Sequence, residues 1–265
     1  MLKYIAVDMD GTALDSDSKL PLSTVNTFID AMDKGIMIIP CSGRSLKGIP
    51  DSLKNIGIRY VITANGAKIT DIIENRELYS DVMNYQDLLE VIDYFMNYDV
   101  ILYVHHNGSH LAHHHNLERF RDIRPNHKIP ADAGDLREKI MHEKMSCEKM
   151  GILFFDEKEK EEALKDAHFK NIAVVSTSVN SIEAVSKTAS KGHALGWLCD
   201  LLGISKDMIM AIGDNDNDLS MFDVADIKVA MANANENVKK KCNYLTLSND
   251  EDGVSYAIRE FINAD

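Results

Sequence analysis

The sequence predicts an α/β fold, a mainly parallel β-sheet core interrupted by an inserted α+β domain. Short apolar, β-rich runs alternate with amphipathic segments through residues 1–82, the mark of βαβ units. The alternation returns through residues 187–265. Between them, residues 83–186 change character. There an Asn107-Gly108 step joins two β-rich runs, and Asn-Gly is the strongest short-range hairpin signal.

Taken in order, residues 4–7 read as a buried strand, 23–33 as a helix, 36–39 as a second strand, 46–54 as a helix and Tyr60–Thr63 as a third strand. In the insert, 85–97 reads as a helix, and 100–105 and 110–114 as the two hairpin strands. A helix from about Leu117, a strand at 152–155, a helix at 157–167 and a strand at 172–175 complete it. The core resumes with a helix at Lys191–Leu202 that ends at Gly203, a C′ residue. A strand at 208–212, a short helix around Leu219 and a closing helix at 254–262 follow. No internal repeat or low-complexity tract interrupts the order.

Composition narrows the function classes. At 265 residues, with 45% hydrophobic and 27% charged, the chain has enough apolar material for an ample core. No apolar run is long enough to span a bilayer, and the short run at 4–7 gives way at once to acidic residues, so no signal peptide is expected. The scattered Cys41, Cys147, Cys199 and Cys242 form no CxxC pair, which suits a reducing compartment, the cytoplasm. A net charge of −13 argues against nucleic acid or an anionic membrane surface as partner. Any phosphate site must therefore gather positive charge locally.

Four segments carry candidate chemistry. Asp8-Met9-Asp10-Gly11-Thr12 follows the first strand, where ligands of α/β sheets bind. Side chains two apart on a strand share a face about 6–7 Å apart, room for a phosphoryl group or a metal, and Gly11 permits a sharp turn; a plain Asp-Gly turn is the bland alternative. Gly213-Asp214-Asn215-Asp216-Asn217-Asp218 also follows an apolar run. So many carboxylates repel one another unless a hard cation sits nearby. The calcium-loop alternative fails, because Leu219 and Ala225 occupy the glycine and glutamate positions of an EF-hand; an acidic first helical turn stays open. Cys41-Ser42-Gly43-Arg44-Ser45 offers a hydroxyl, amides and a guanidinium, although alone it reads as turn punctuation with a solvated arginine. Ser190-Lys191-Gly192 stands at a helix start, with Ser190 as N-cap; a lone lysine there is ordinarily a surface charge.

Together, Asp8-x-Asp10-Gly11-Thr12, Ser42-Gly43-Arg44, Lys191-Gly192 and Gly213-Asp214-x-x-Asn217-Asp218 resemble the four motifs of the haloacid dehalogenase superfamily. The details resemble its Cof-type (subfamily IIB) phosphatases. Thr63-Ala64-Asn65-Gly66-Ala67, Val229-Ala230-Met231-Ala232-Asn233-Ala234 and Asp252-Gly253-Val254 extend the similarity. Ala13, where the family usually has leucine, is one departure, expected to affect packing behind the loop. The resemblance implies a Rossmann-like core (1–82 and 187–265) with a C2B-type cap (83–186). It implies Asp8 as nucleophile and Asp10 as general acid–base, with magnesium held by Asp8, the Asp10 carbonyl and Asp214. Ser42, Gly43, Arg44, Lys191, Asn217 and the Met9 amide are implied to hold phosphate or substrate, with Gly11, Thr12 and Asp218 in support. The implied substrate is a small phosphorylated metabolite, such as a sugar phosphate, with the cap as its selector. A phosphomutase or phosphotransferase on the same core, or a non-catalytic phosphometabolite binder, are the competing readings. The cap histidines His105, His106, His110, His113, His114 and His115 match no motif; a solvated hairpin is the favoured reading over a transition-metal site.

Overall fold

A computed structural model describes residues 2–124 and 128–262 of the chain. The first segment holds β1 (Tyr4–Asp8), α1 (Leu22–Asp33), β2 (Met37–Cys41), α2 (Asp51–Asn55), β3 (Tyr60–Thr63), β4 (Lys68–Asp71) and β5 (Arg76–Ser80). The insert holds α3 (Tyr85–Phe95), β6 (Val100–His106), β7 (Ser109–Ala112), α4 (Leu117–Ile123), β8 (Ala131–Asp132), α5 (Leu136–Glu143), β9 (Lys149–Phe154), α6 (Glu157–Asp166), β10 (Ile172–Ser178) and β11 (Ser181–Ser186). The last segment holds α7 (Lys191–Leu202), β12 (Ile209–Gly213), α8 (Leu219–Phe222), β13 (Ile227–Ala230), α9 (Glu236–Lys241), β14 (Tyr244–Leu245) and α10 (Gly253–Ile262).

Two compact units result, one from Met1–Ser80 with Ser190–Asp265, the other from Asp81–Ala189. In the first, strands run in the order β14-β13-β12-β1-β2-β3-β4-β5. Pairing is parallel from β14 to β3 and antiparallel through β4 and β5. The central strand β1 is buried from Ile5 to Asp8, as expected of a parallel strand covered on both faces. Its register, Val7 beside Ile212 and Asp8 beside Cys41, brings the ends of β1, β2 and β12 to one edge. Phe28, Leu195, Leu198, Phe222 and Ile258 fill the core around this sheet.

The second unit is a sheet in the order β10-β11-β9-β6-β7-β8, antiparallel except for β7 with β8. Leu88, Val91, Ile92 and Phe95 of α3 bury against Leu102, Val104, Met150, Ile152 and Phe154. Asn84 caps α3 by accepting from the N–H groups of Gln86 and Asp87.

Several elements differ from expectation for physical reasons. The helix expected at 46–54 breaks in two, a 3₁₀ turn at Leu46–Gly48 and α2 after Pro50. Proline drives the preceding Ile49 into extended backbone and donates no N–H. The strand expected at 110–114 stops at Ala112, and His114–Asn116 form a 3₁₀ turn. The hairpin β4–β5, turning through Asn75 at φ +48, was not expected; nor were β8, β11, β13, β14, α5 and α9.

Candidate active site

Asp8 closes β1, 5% exposed. Lys191, the first residue of α7, is 1% exposed, and Asp218 is fully buried. The Lys191 ammonium donates to Asp8 and, at 2.7 Å, to Asp218 Oδ1. An ammonium taken from water costs several kcal/mol unless paired and hydrogen-bonded; here two carboxylates flank it. The remaining Asp218 oxygen accepts the N–H groups of Asp214 and Asn215, at 3.0 and 3.1 Å.

These charges shift one another. Burial, with the Asp218 charge, raises the Asp8 carboxyl to about 7 against the pull of Lys191 and of the Met9 N–H bonded to it. Burial and Asp218 also push Asp214 up. Burial pulls Lys191 down, but Asp8 and Asp218 outweigh it and carry the ammonium above its ordinary value. The arrangement thus holds more carboxylate than one lysine satisfies.

Local sequence explains the placement. Ser190 Oγ accepts the His193 N–H at 3.0 Å and so caps α7. Gly66, at φ +96, lies against the start of that helix; a β-carbon there would fall 2.0 Å from the Ser190 carbonyl oxygen. Gly11, at φ +78, admits Asp214, whose Oδ2 would stand 2.5 Å from an added β-carbon. Thr12 Oγ1 then donates to Asp214 Oδ1 at 3.1 Å.

The other predicted residues sort themselves around this centre. Ser42 is fully buried, and its Oγ accepts the Arg44 N–H at 3.1 Å. Gly43 lies against Asn65, to whose Oδ1 Asn217 donates at 3.0 Å. Met9 buries its side chain in the core and offers the site only its backbone. Asp10 is half exposed and paired with Arg44.

Sequence reasoning gave no role to Asn65, Asn233, Asn235 or Ser220. Asn65 and Ala64 both take left-handed backbone, φ +55 and +51, strain that persists where surroundings over-determine it. Asn233 donates to the Gly11 carbonyl at 2.8 Å, Asn235 to Asn215 at 3.2 Å, and Ser220 accepts the Gly192 N–H at 3.0 Å. Asn65-Gly66 after a strand is a visible turn signal, and Asn233 lies in the 229–234 stretch that extends the resemblance.

The residues fit a hard divalent cation. Carboxylate oxygens of Asp8, Asp214 and Asp218 lie within 4.8 Å of one another, and oxygen donors suit magnesium. Asp8 and Asp214 are the two that could hold it, because Asp218 spends both oxygens on Lys191 and backbone N–H groups. The histidines form no comparable cluster among the described residues. His105 and His110 face each other across β6–β7 with ring centroids 3.9 Å apart, and burial with nearby Lys149 drives His105 down to about 2. His113 and His114 pair with Asp135 and Asp132.

The chain matches the haloacid dehalogenase-like hydrolase family over residues 5–258. It is 30% identical to the 5-amino-6-(5-phospho-D-ribitylamino)uracil phosphatase YwtE of Bacillus subtilis, over 98% of each chain. It is 29% identical to the phosphatase YwpJ of the same organism, over 98% of this chain and 100% of that one. The crystal structure of TM0651 from Thermotoga maritima superposes with a TM-score of 0.84 at 24% identity, covering 98% of this chain and 97% of that one. The chain belongs to the haloacid dehalogenase-like hydrolases, as a Cof-type phosphatase, an enzyme that hydrolyses phosphoric monoesters. No helix among the described residues is long and apolar enough to cross a membrane.

Proposed function

We propose that the chain dephosphorylates a small phosphorylated metabolite through an aspartyl phosphate on Asp8, with magnesium as cofactor. The observation that carries this reading is the buried Asp8–Lys191–Asp218 chain beside Asp214. Asp8 supplies the carboxylate that attacks phosphorus, which splits one hard displacement into two easier ones. Lys191 balances that carboxylate and the charge growing on the phosphoryl oxygens. Asp10, outside the buried trio, gives a proton to the leaving oxygen and later takes one from water. Ser42, the Gly43 and Met9 amides and Asn217 hold the phosphoryl oxygens, and Asp218 fixes the lysine. Magnesium, held by Asp8, Asp214 and the Asp10 carbonyl, would neutralise the repulsion between two anions.

The relative YwtE carries the name of a 5-amino-6-(5-phospho-D-ribitylamino)uracil phosphatase, so that ester and the common sugar phosphates head the substrate panel. The free cysteines Cys41, Cys147, Cys199 and Cys242 suit a reducing compartment, which supports a cytoplasmic location. Phosphate release across the panel, with magnesium and with excess chelator, tests the reading. Expected are magnesium-dependent turnover and an acid-stable phosphoprotein that D8N does not form. Full activity in chelator, or turnover by D8N, overturns it.

A further inference from the structure

Arg44 is expected from sequence among the phosphate-binding groups, yet its guanidinium grips Asp10. Nε donates to both carboxylate oxygens, at 3.1 and 2.8 Å, and one terminal nitrogen donates to Oδ1. The other terminal nitrogen donates to the Gly48 carbonyl at 3.3 Å. The backbone is held as well, its N–H on Ser42 Oγ at 3.1 Å and its carbonyl accepting the Ala64 N–H at 2.9 Å. Asp10, its side chain 52% exposed, has no other side-chain hydrogen-bond partner among the described residues.

We propose that Arg44 is a positioning residue for Asp10 and not a ligand of the transferred phosphoryl group. The inference rests on the phosphatase reading above. A half-exposed carboxylate just past a strand end samples several rotamers; a planar guanidinium engaging both its oxygens selects one. Lys191 already supplies the buried cation beside Asp8, so the phosphoryl site does not need Arg44 for charge. In the first half-reaction an Asp8 oxygen bonds to phosphorus, the bond from phosphorus to the ester oxygen breaks, and the Asp10 carboxyl proton passes to that oxygen. In the second, the oxygen of water bonds to phosphorus, the Asp8–phosphorus bond breaks with its electron pair returning to the carboxylate, and Asp10 accepts a proton from the water. Arg44 acts on both proton transfers by aiming the same carboxylate.

The leaving group separates this role from phosphate binding. An alkyl ester needs the Asp10 proton to depart; a 2,4-dinitrophenyl ester does not. The value of kcat/KM reports events up to leaving-group departure, so water attack does not enter. With the full-length chain and magnesium, R44A is expected to lose about 10²-fold in kcat/KM on the best alkyl phosphate of the panel, the cost of a misaimed group. On 2,4-dinitrophenyl phosphate the loss stays below about five-fold. D10N shows the same split, R44A/D10N loses no more than D10N, and R44K falls between R44A and wild type because a lysine is a point charge. Equal losses on both esters, or weakened competitive inhibition by inorganic phosphate in R44A, overturn the proposal and make Arg44 a phosphate ligand. D8N loses both esters alike if the covalent reading holds. Should D8N retain activity while R44A still splits the esters, the nucleophile assignment fails and the positioning role stands. If wild type cleaves neither ester, both fall.

Discussion

Lys191 sits between two carboxylates with almost no water to share the charge, so its removal acts on folding and chemistry together. K191M leaves Asp8 and Asp218 buried without a cation, and breaking such a pair costs about 3–5 kcal/mol. Without the ammonium the carboxylates hold their protons to higher pH, so the loss is expected to be small in acid and to grow toward neutrality. Thermal unfolding at pH 5 and pH 8 checks this, with turnover abolished at either pH; an equal Tm drop at both pH values would contradict it. The Asp8 shift makes a second prediction. Asp8, raised to about 7, binds its proton more tightly folded than unfolded. Its contribution to the metal-free fold is therefore complete below the ordinary carboxylate range and lost as pH rises through about 7. Magnesium held by Asp8 and Asp214, as proposed, would compete with that proton, so the Tm gain on adding it is expected to be larger at pH 8 than at pH 6 and to vanish in D214N. A gain independent of pH would detach Asp8 from the metal. Asp8 and Asp214 stood out in the sequence because strand ends framed them; Lys191, alone an ordinary surface charge, gained weight only from the four complementary motifs taken together. That Lys191 bonds both Asp8 and Asp218 needed the fold, since 183 and 27 residues separate those partners.

Helix α7 and the turn after β3 form the device that aims Lys191. Ser190→Ala removes a cap bond to His193 and is expected to cost about 1 kcal/mol, with kcat little changed. Gly66→Ala is expected to cost more, about 1–3 kcal/mol, from a side chain at φ +96 and from collision with the Ser190 carbonyl. Because that collision displaces the start of α7, kcat should fall as well; equal kcat in both variants would deny the turn its aiming role. The buried parallel strands of this unit were legible as unbroken apolar runs, β1 most clearly. Outlying elements were not: β13, one strand in from the edge, interrupts its run with Lys228, and the edge strand β14 is two exposed residues. Proline, visible in the sequence, explains the broken helix before α2. Asn65 was visible as a turn residue, but its bond to Asn217 joins residues 152 apart, beyond any local pattern.

The two units bury separate hydrophobic clusters, one built on β1 and β12, the other on α3, β6 and β9. Every residue of the candidate site, from Asp8 to Asp218, belongs to the first unit. That unit's chain leaves at Ser80 and returns at Ser190, and the gap is short. Tyr79, next to the exit, meets His193 edge-on and Trp197 at a tilt, both on α7, with ring centroids 6.2 and 5.2 Å apart. A Gly/Ser linker of about six residues, spanning about 13 Å on average, closes it. The chain with residues 81–189 replaced by such a linker is therefore expected to unfold cooperatively and to keep magnesium-dependent cleavage of dinitrophenyl phosphate. In the proposed mechanism the core motifs would touch only phosphate, metal and the transferred group, which every phosphate ester shares. Selectivity among esters must come from contacts to the rest of the molecule, and we propose the insert as their source. Excision should then flatten kcat/KM across the metabolite panel, with the best substrate losing most and small aryl esters least, because the latter draw little binding energy from remote contacts. A shortened chain that folds yet keeps the wild-type substrate ranking would return selectivity to the core loops, with Asn65 and Asn217 as the first residues to exchange.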